Sequence, residues 1–285
     1  MFTLCVALVL ALFCAARADD PDEPPPPDPA AAAAKPGPAS ATVVSVYDGD
    51  TFTLDTGDRV RLRWVNTPEL KPAEDYGPEA RDFAASLVQG KRVELIYGAS
   101  LRDGYGRLIA GVTVDGKNLS IELIEQGFGH LFVIPPDTTD LTAFIAAQER
   151  ARAARRGIWS TVRYQGTLHV TSFHANADGD DRENVNGEYL RVCNVSPDPV
   201  DLSGYVIADI SGNRWNLPQV IVPAGNTFKI HSGKGTNAVD TQAQLAVYLQ
   251  NVDPIWNNKV DRATIYDRYG RVVDARDHSV EKETP

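Results

Sequence analysis

The sequence predicts a mainly β protein with some α-helix, built as a small β-barrel domain followed by a β-sandwich domain. At 285 residues the chain exceeds the roughly 250 residues at which a single core usually stops growing. Residues 41–160 mix strand-like runs with helical patterns, whereas residues 167–275 contain strand-like runs without a helical pattern. The change follows Trp159-Ser160, so we predict domains at 41–160 and 166–276.

The N-terminal segment precedes both domains. Residues 2–16 are almost wholly apolar, and Ala16-Arg17-Ala18 offers the small residues that a signal peptidase recognises. We therefore predict a signal peptide at 1–18 and a secreted, periplasmic or cell-surface bacterial protein. One alternative is a membrane anchor, although a spanning helix needs about 20 residues, and another is a lipid anchor on Cys14. Residues 19–40 are rich in Pro and Ala, which indicates a linker.

The first domain begins with three strand-like runs separated by short turns, at residues 41–47, 51–55 and 59–65. A helix is predicted from Tyr76 to Gln89, because Pro78 suits a first turn and Gly90 follows the apolar stripe. The remaining elements are two strands and two helices, at Arg92–Tyr97, Leu108–Val114, Leu119–Gln126 and about Thr138–Arg156. Five short strands with interspersed helices predict a Greek-key barrel of the oligonucleotide/oligosaccharide-binding type.

The second domain has strand-like runs with turn residues about every 8–12 positions, which predicts an all-β sandwich. Residues 277–285 are predicted to be a tail. Cys193 would be the single cysteine left after removal of a signal peptide, so a disulfide framework is excluded. Its place in a strand pattern indicates a small core residue. His169 and His174 are interpreted as structural or surface residues.

The turn Asp48-Gly49-Asp50-Thr51 begins the stretch that carries the chemistry. Alone it could be an ordinary turn. The next strand places three arginines on one face, namely Arg59, Arg61 and Arg63. With Glu69 fixed behind Pro68, these groups could hold a hard cation and a phosphate side by side. The net charge of −10 excludes binding of nucleic acid through bulk positive charge, so a local arginine cluster is required.

Five blocks of the first domain resemble, in order and at similar spacing, the motifs of the staphylococcal nuclease (thermonuclease) family. They are VYDGDTFTL, RLRWVNTPE, YGPEA, DGYGR and GIWS, and the match covers residues 41–160. The resemblance implies an endonuclease, a hydrolase acting on ester bonds, that uses Ca²⁺. Its implied substrate is DNA and/or RNA, cleaved at the 5′ P–O bond to leave 3′-phosphate ends.

The resemblance also implies a role for each matching residue. Metal binding is expected at Asp50, Asn66 and Thr67, catalysis at Arg61, Glu69 and Arg107, and support at Asp48, Asp103 and Tyr105. In these roles Glu69 activates the attacking water, and the two arginines bind the scissile phosphate. Oxygen ligands suit Ca²⁺, and a guanidinium group binds phosphate through two parallel hydrogen bonds, so the residue types fit the chemistry.

Two positions depart from the family pattern. Asn66 stands where the prototype has a second metal-binding Asp, and the lost charge should weaken Ca²⁺ binding or change the metal preference. The segment around Phe132 lacks the tyrosines that the prototype places beside the bound nucleotide, so Phe132 either stacks on a base or packs in the core. The alternative to an enzyme is an inactive nuclease-like fold that serves as a binding module.

The second domain resembles the lamin tail domain, an immunoglobulin-like sandwich. The resemblance rests on GEYLRVCNV, PVDLSGYVIAD, WNN and DRATIYDRYGRVVD. It implies a role in targeting or binding without identifying the partner. We expect a monomer with no stable membrane insertion.

Overall fold

A computed structural model describes residues 36–135, 137, 139–239 and 245–280. The predicted signal peptide, and the predicted linker up to residue 35, lie outside these residues. Within them, no helix is both long enough and apolar enough to cross a membrane.

The first domain is a closed barrel. Its strands are β1 (Ser40–Val46), β2 (Thr51–Leu54), β3 (Arg59–Leu62), β4 (Trp64–Asn66), β5 (Arg92–Arg102), β6 (Leu108–Val114), β7 (Lys117–Asn118) and β8 (His130–Phe132). The sheet order is β3-β2-β1-β5-β6-β7, and parallel pairing of β3 with β6 closes a ring of five strands. The predicted barrel is confirmed, with the short pair β4–β8 beside it.

Three α-helices belong to the described part of the barrel domain: α1 (Gly77–Val88), α2 (Leu119–Gln126) and α3 (Thr142–Ala153). Pro78 occupies the first turn of α1, where its missing N–H costs no hydrogen bond. The side chain of Asn118 caps α2 by accepting the N–H of Ile121 at 3.2 Å. Gly127 ends α2 with a φ of 75°, which glycine adopts without strain.

The prediction that Arg59, Arg61 and Arg63 share one face of a strand is wrong for Arg63, which lies beyond the end of β3. The strand stops at Leu62, and Trp64 has a left-handed φ of 65°. This bend lets the Trp64 ring cover Gly111, where a Cβ would lie only 2.4 Å from the ring. Arg63 consequently pairs with Asp137 at 2.7 Å, away from the candidate site.

The second domain is the predicted sandwich. Its strands are β9 (Leu168–His174), β10 (Tyr189–Asn194), β11 (Val200–Asp201), β12 (Val206–Ala208), β13 (Arg214–Asn216), β14 (Ile221–Val222), β15 (Thr227–His231), β16 (Ala238–Val239), β17 (Leu245–Tyr248), β18 (Val260–Tyr266) and β19 (Val272–Ser279). Sheets β16-β17-β15-β10-β9 and β13-β12-β18-β19 enclose a core that includes Phe228, Ile230 and Trp256. The last strand extends into the segment predicted as a tail.

The two domains are joined by backbone hydrogen bonds. The N–H of Val133 donates to the carbonyl of Gly225 at 2.8 Å, and its carbonyl accepts the N–H of Thr227 at 2.9 Å. Cys193 is buried in this interface, where its Sγ lies 3.3 Å from the carbonyl of Leu131. Burial raises the pKa of the Cys193 thiol, which disfavours a reactive thiolate.

The two histidines of β9 differ in their surroundings. His169 is buried at the interface, and its Nδ1 lies 2.9 Å from Oδ2 of Asp274. His174 is exposed and stacks on Tyr189, with a centroid distance of 4.2 Å. Neither arrangement resembles a catalytic site.

Candidate active site

The candidate residues converge at one end of the barrel from four separate segments. Asp48 and Asp50 lie in the β1–β2 connection, and Arg61 lies on β3. Glu69 follows β4, and Arg107 immediately precedes β6. The side chains are close enough for their charges to act on one another. Asp50 raises and Arg61 lowers the pKa of Glu69, and the charges of Asp48 and Asp50 raise the pKa of Arg107. Closure of the barrel therefore assembles one site.

Asp50 is the centre of this site. It is buried, and its Oδ2 accepts the backbone N–H of Thr67 at 2.8 Å and the Thr67 hydroxyl at 2.9 Å. Its Oδ1 accepts the hydroxyl of Thr51 at 3.2 Å and lies 3.1 Å from Nε of Arg61. These contacts fix the orientation of the carboxylate before any ligand binds.

Asp48 adds a second buried carboxyl. Its Oδ1 accepts the backbone N–H of Asp50 at 2.9 Å, so the pair forms an Asx-type turn. Burial raises the pKa of Asp48 well above its usual value, and the negative charges of Asp50 and Glu69 raise it further. Gly49 lies between the two acids because a Cβ there would come within 2.7 Å of the Thr67 side chain.

Arg61 is held rigidly from several directions. Its Nη1 donates to the carbonyls of Leu62 at 2.7 Å and Val65 at 2.9 Å, and its Nη2 donates to Oδ1 of Asn66 at 2.9 Å. The guanidinium group lies 5.9 Å from the ring centroid of Phe132. Phe132 also packs against the cluster between the domains, which favours the core-packing interpretation of this residue.

Arg107 is oriented by Asp103 within the turn between β5 and β6. Oδ2 of Asp103 accepts Nε–H of Arg107 at 2.7 Å, while Oδ1 accepts the backbone N–H groups of Tyr105 and Arg107, each at 3.0 Å. Tyr105 is exposed, and the guanidinium group lies 5.3 Å from its ring centroid. Burial lowers the pKa of Arg107, but the charges of Asp103, Asp50 and Asp48 raise it overall, so the group is a permanent cation.

Glu69 begins the loop between β4 and α1. Removal of its carboxyl from water raises its pKa to about 7, with a further contribution from Asp50 that Arg61 partly offsets. The residue as a whole is nevertheless exposed, so water screens these charges and limits the rise in the pKa of Glu69. A carboxyl that gains and loses its proton near neutral pH is suited to general-base chemistry.

The donor set fits a hard divalent cation, although no metal is part of the structure. Asp50, Asn66 and Thr67 carry carboxylate, amide and carbonyl oxygens, which are the ligand types that Ca²⁺ takes. The side-chain oxygens of Asp50 and Asn66 accept hydrogen bonds from the protein in this structure. Burial is the main cause of the raised pKa of Asp48, and a positive ion would relieve the additional repulsion from Asp50 and Glu69. Among the described residues, however, no group of three or more His, Cys, Asp or Glu side chains has an arrangement that could hold a metal.

Comparisons with known proteins identify the family of this chain. The family model described as "Staphylococcal nuclease homologue" matches residues 59–161. The thermonuclease of Staphylococcus intermedius is 32% identical over 127 residues, which are 42% of this chain and 76% of that protein. The chain belongs to the staphylococcal nuclease family. The match lies in the barrel, so the barrel is a nuclease-type domain.

Two further relatives match the nuclease domain. An uncharacterized endonuclease of Escherichia coli is 37% identical over 120 residues, which are 41% of this chain and 75% of the relative. Endonuclease YncB of Bacillus subtilis is 31% identical over 134 residues, which are 44% of this chain and 64% of the relative. The lamin tail domain model matches residues 161–279, so the nuclease domain is followed by a lamin tail domain.

Three residues that the sequence analysis did not identify form a cluster beside Glu69, in which one carboxylate contacts the backbone of Glu69 and two arginines contact that carboxylate. They are Glu74 of the loop, Arg163 of the interdomain segment and Arg276 of the lamin tail domain. No local pattern marks them, because their relationship arises only when the two domains pack together. The only sign in the sequence is the presence of a carboxylate five residues after Glu69.

Proposed function

We propose that the nuclease domain is a Ca²⁺-dependent enzyme that hydrolyses phosphodiester bonds of DNA and/or RNA and leaves 3′-phosphate ends. The convergence of Asp50, Arg61, Glu69 and Arg107 at one end of the barrel carries the proposal. Together they provide a fixed carboxylate that could bind a metal ion, two fixed guanidinium groups and a carboxyl with a pKa raised to about 7.

In this mechanism each residue has a distinct task. Asp50, with oxygens of Asn66 and Thr67, would hold the ion, which supplies charge neutralisation and orientation of the water. Arg61 and Arg107 bind the equatorial phosphate oxygens and stabilise the charge that grows on them. Glu69 accepts the proton of the attacking water. The water oxygen becomes bonded to phosphorus as the bond between phosphorus and O5′ breaks. O5′ takes up a proton from solvent, so the two products carry a 3′-phosphate and a 5′-hydroxyl.

The rigidity of Arg61 supports this assignment. Its contacts with two backbone carbonyls, Asn66 and Asp50 fix the guanidinium plane before substrate arrives and use four of its five N–H groups. Arg61 would therefore give the phosphate one N–H of Nη2 together with its positive charge. Donors that need no rearrangement during the reaction give the largest electrostatic stabilisation of a transition state. Arg107 gains the same property from Asp103.

The test is a cleavage assay on the chain without residues 1–18. Single-stranded DNA, duplex DNA and RNA are each incubated with Ca²⁺ or with a chelator, and product ends are analysed. We expect Ca²⁺-dependent cleavage with 3′-phosphate ends, lost in Glu69→Gln and Arg107→Ala. Chelator-resistant cleavage would contradict the metal dependence, and 5′-phosphate ends would contradict the bond assigned.

A second candidate function follows from Asn66. This amide carries no charge, and its Oδ1 already accepts a hydrogen bond from Arg61. A site too weak to hold Ca²⁺ would leave a nucleic-acid or partner-binding module. Absence of cleavage with Ca²⁺, Mg²⁺ and Mn²⁺ in a folded protein would favour this candidate.

We also propose export of the protein and a targeting or binding role for the lamin tail domain. The apolar run at residues 2–16 and the sequence Ala16-Arg17-Ala18 support export. N-terminal sequencing of material secreted by a bacterial host tests cleavage after Ala18. Retention of residues 1–18 in the secreted or membrane fraction would contradict it.

A further inference from the structure

The loop that begins at Glu69 is closed upon itself by Glu74. The backbone N–H of Glu74 donates to the carbonyl of Glu69 at 2.9 Å. In return, Oε2 of Glu74 accepts the backbone N–H of Glu69 at 3.1 Å. The carboxylate of Glu74 therefore fixes the backbone from which the Glu69 side chain extends.

The other oxygen of Glu74 is held by two arginines from outside the barrel. Oε1 lies 2.9 Å from Nη1 of Arg163 and 3.2 Å from Nη1 of Arg276. Arg163 lies in the short helix Val162–Tyr164 between the domains, and Arg276 lies on β19 of the sandwich. Nη1 of Arg276 also donates to the carbonyl of Val170 at 3.2 Å, so the sandwich holds this arginine in place.

The surroundings of Glu74 make these contacts important. The Glu74 side chain is only 11% exposed, and that of Arg276 is 17% exposed. Burial acts to raise the pKa of Glu74, but the charges of Arg276 and Arg163 lower it overall and keep the group ionised. A buried carboxylate without such partners would take up a proton or move towards water, and the loop would move with it.

We propose that Arg276 of the lamin tail domain is a positioning residue for the nuclease site and acts on Glu69 through Glu74. The inference rests on the proposed function, because Glu69 is there the base that activates water. It gives the lamin tail domain a part in catalysis in addition to any targeting role. A barrel that ends at residue 161, where the two family matches meet, lacks both Arg163 and Arg276, so its Glu69 loop would lose both cations that hold Glu74.

An ion pair that only joins two domains is the competing explanation. Both explanations allow Arg276→Met to lower stability, but they differ in kinetics. A positioning residue affects the reaction step more than substrate binding, since small displacements of a catalytic group reduce turnover strongly. A purely structural pair would change the fraction of folded protein and leave the turnover of the folded fraction unaltered.

The experiment compares three variants of the chain without residues 1–18: Arg276→Met, Arg276→Lys and Arg262→Met. Arg262 is the matched control, because it lies on the neighbouring strand β18 and forms an exposed ion pair with Asp277 at 2.6 Å. With saturating Ca²⁺ we expect kcat to fall about tenfold in Arg276→Met with KM unchanged, and Arg276→Lys to recover part of the loss. Arg262→Met should match the unsubstituted protein in both constants.

Amide hydrogen exchange provides a readout that does not depend on cleavage. The N–H of Glu69 is protected by Oε2 of Glu74, so its exchange should accelerate in Arg276→Met and not in Arg262→Met. The exchange measurement separates the proposed nuclease function from the proposed positioning role of Arg276. An inactive protein would refute the nuclease function, while accelerated exchange at Glu69 in Arg276→Met would still support the link from Arg276 to Glu69.

Three outcomes would overturn the inference. The first is a kcat for Arg276→Met equal to that of the unsubstituted protein. The second is an equal loss of kcat in Arg262→Met, which would show a general effect of disturbing the sandwich. The third is exchange at Glu69 that is unchanged by Arg276→Met.

Discussion

Nε of Arg61 lies 3.1 Å from Oδ1 of Asp50, so the candidate phosphate-binding arginine and the candidate metal-binding carboxylate form one ion pair. The two residues meet at one end of the β2–β3 hairpin, since Asp50 directly precedes β2 and Arg61 on β3 pairs with Thr51. Their pairing keeps a cation and an anion adjacent in a buried place. Asp50 would help to hold a metal ion, and Arg61 would supply positive charge to a phosphate beside it.

Replacement of Arg61 by lysine should abolish most activity. The planar guanidinium group of Arg61 contacts Asp50, Asn66 and two backbone carbonyls at once. Lysine keeps the charge, but its single ammonium group cannot make all of these contacts. We expect kcat with single-stranded DNA to fall at least about 10²-fold, as for removal of an oriented donor. Arg63→Lys is the matched control, because Arg63 pairs with Asp137 outside the site. Equal losses in both variants would contradict the role of Arg61.

Glu69→Gln should lower turnover while the protein stays folded. The amide cannot accept the proton of water, and loss of a general base usually costs at least about 10²-fold. The measurement is kcat with saturating Ca²⁺, alongside a thermal unfolding curve. Cleavage at the original rate would remove Glu69 from the mechanism, whatever its surroundings.

Asn66→Asp should tighten Ca²⁺ binding. The substitution restores a negative charge beside Asp50 at a position that already offers an oxygen. Isothermal titration with Ca²⁺ would show a lower Kd than for the unsubstituted protein. Asn216→Asp, on exposed strand β13 of the sandwich, adds the same charge far from the site as a control. An unchanged Kd in Asn66→Asp would argue that residue 66 is not a ligand.

The stability of the folded protein should fall in acid partly because of His169. Burial lowers the pKa of this histidine in the folded state, although Asp274 opposes the effect. Below the ordinary histidine pKa of about 6.5, His169 therefore binds a proton in the unfolded state but not in the folded state. Stability is fully present above that pH and is lost as the pH falls, by at most about 1.4 kcal/mol per pH unit.

Urea unfolding at several pH values between 7 and 5 measures this slope. His169→Gln removes the titrating group, so its stability should decline less steeply than that of the unsubstituted protein. Curves that remain parallel over this pH range would show that His169 binds a proton equally well in both states.

Much of the barrel was predictable because its signals are local. The strand Leu108–Val114 and the helix Leu119–Gln126 have the bounds that were predicted. Periodicity, Asn118 at the cap and Gly127 at the end act within one or two turns of chain. The end of β3 was missed, because the left-handed turn at Trp64 depends on space beside Gly111, which is distant in sequence.

The sequence by itself determined the mainly β class, the order of strands and helices, and the set of acidic and basic side chains from which a site could form. It did so because strand alternation, caps and turns depend on neighbouring residues. Only the tertiary structure decided that Arg107 joins Asp50 and Arg61, through the parallel pairing of β3 with β6, and that Arg276 reaches Glu74. Barrel closure and domain packing bring these groups together across long stretches of chain, and no local pattern encodes such contacts.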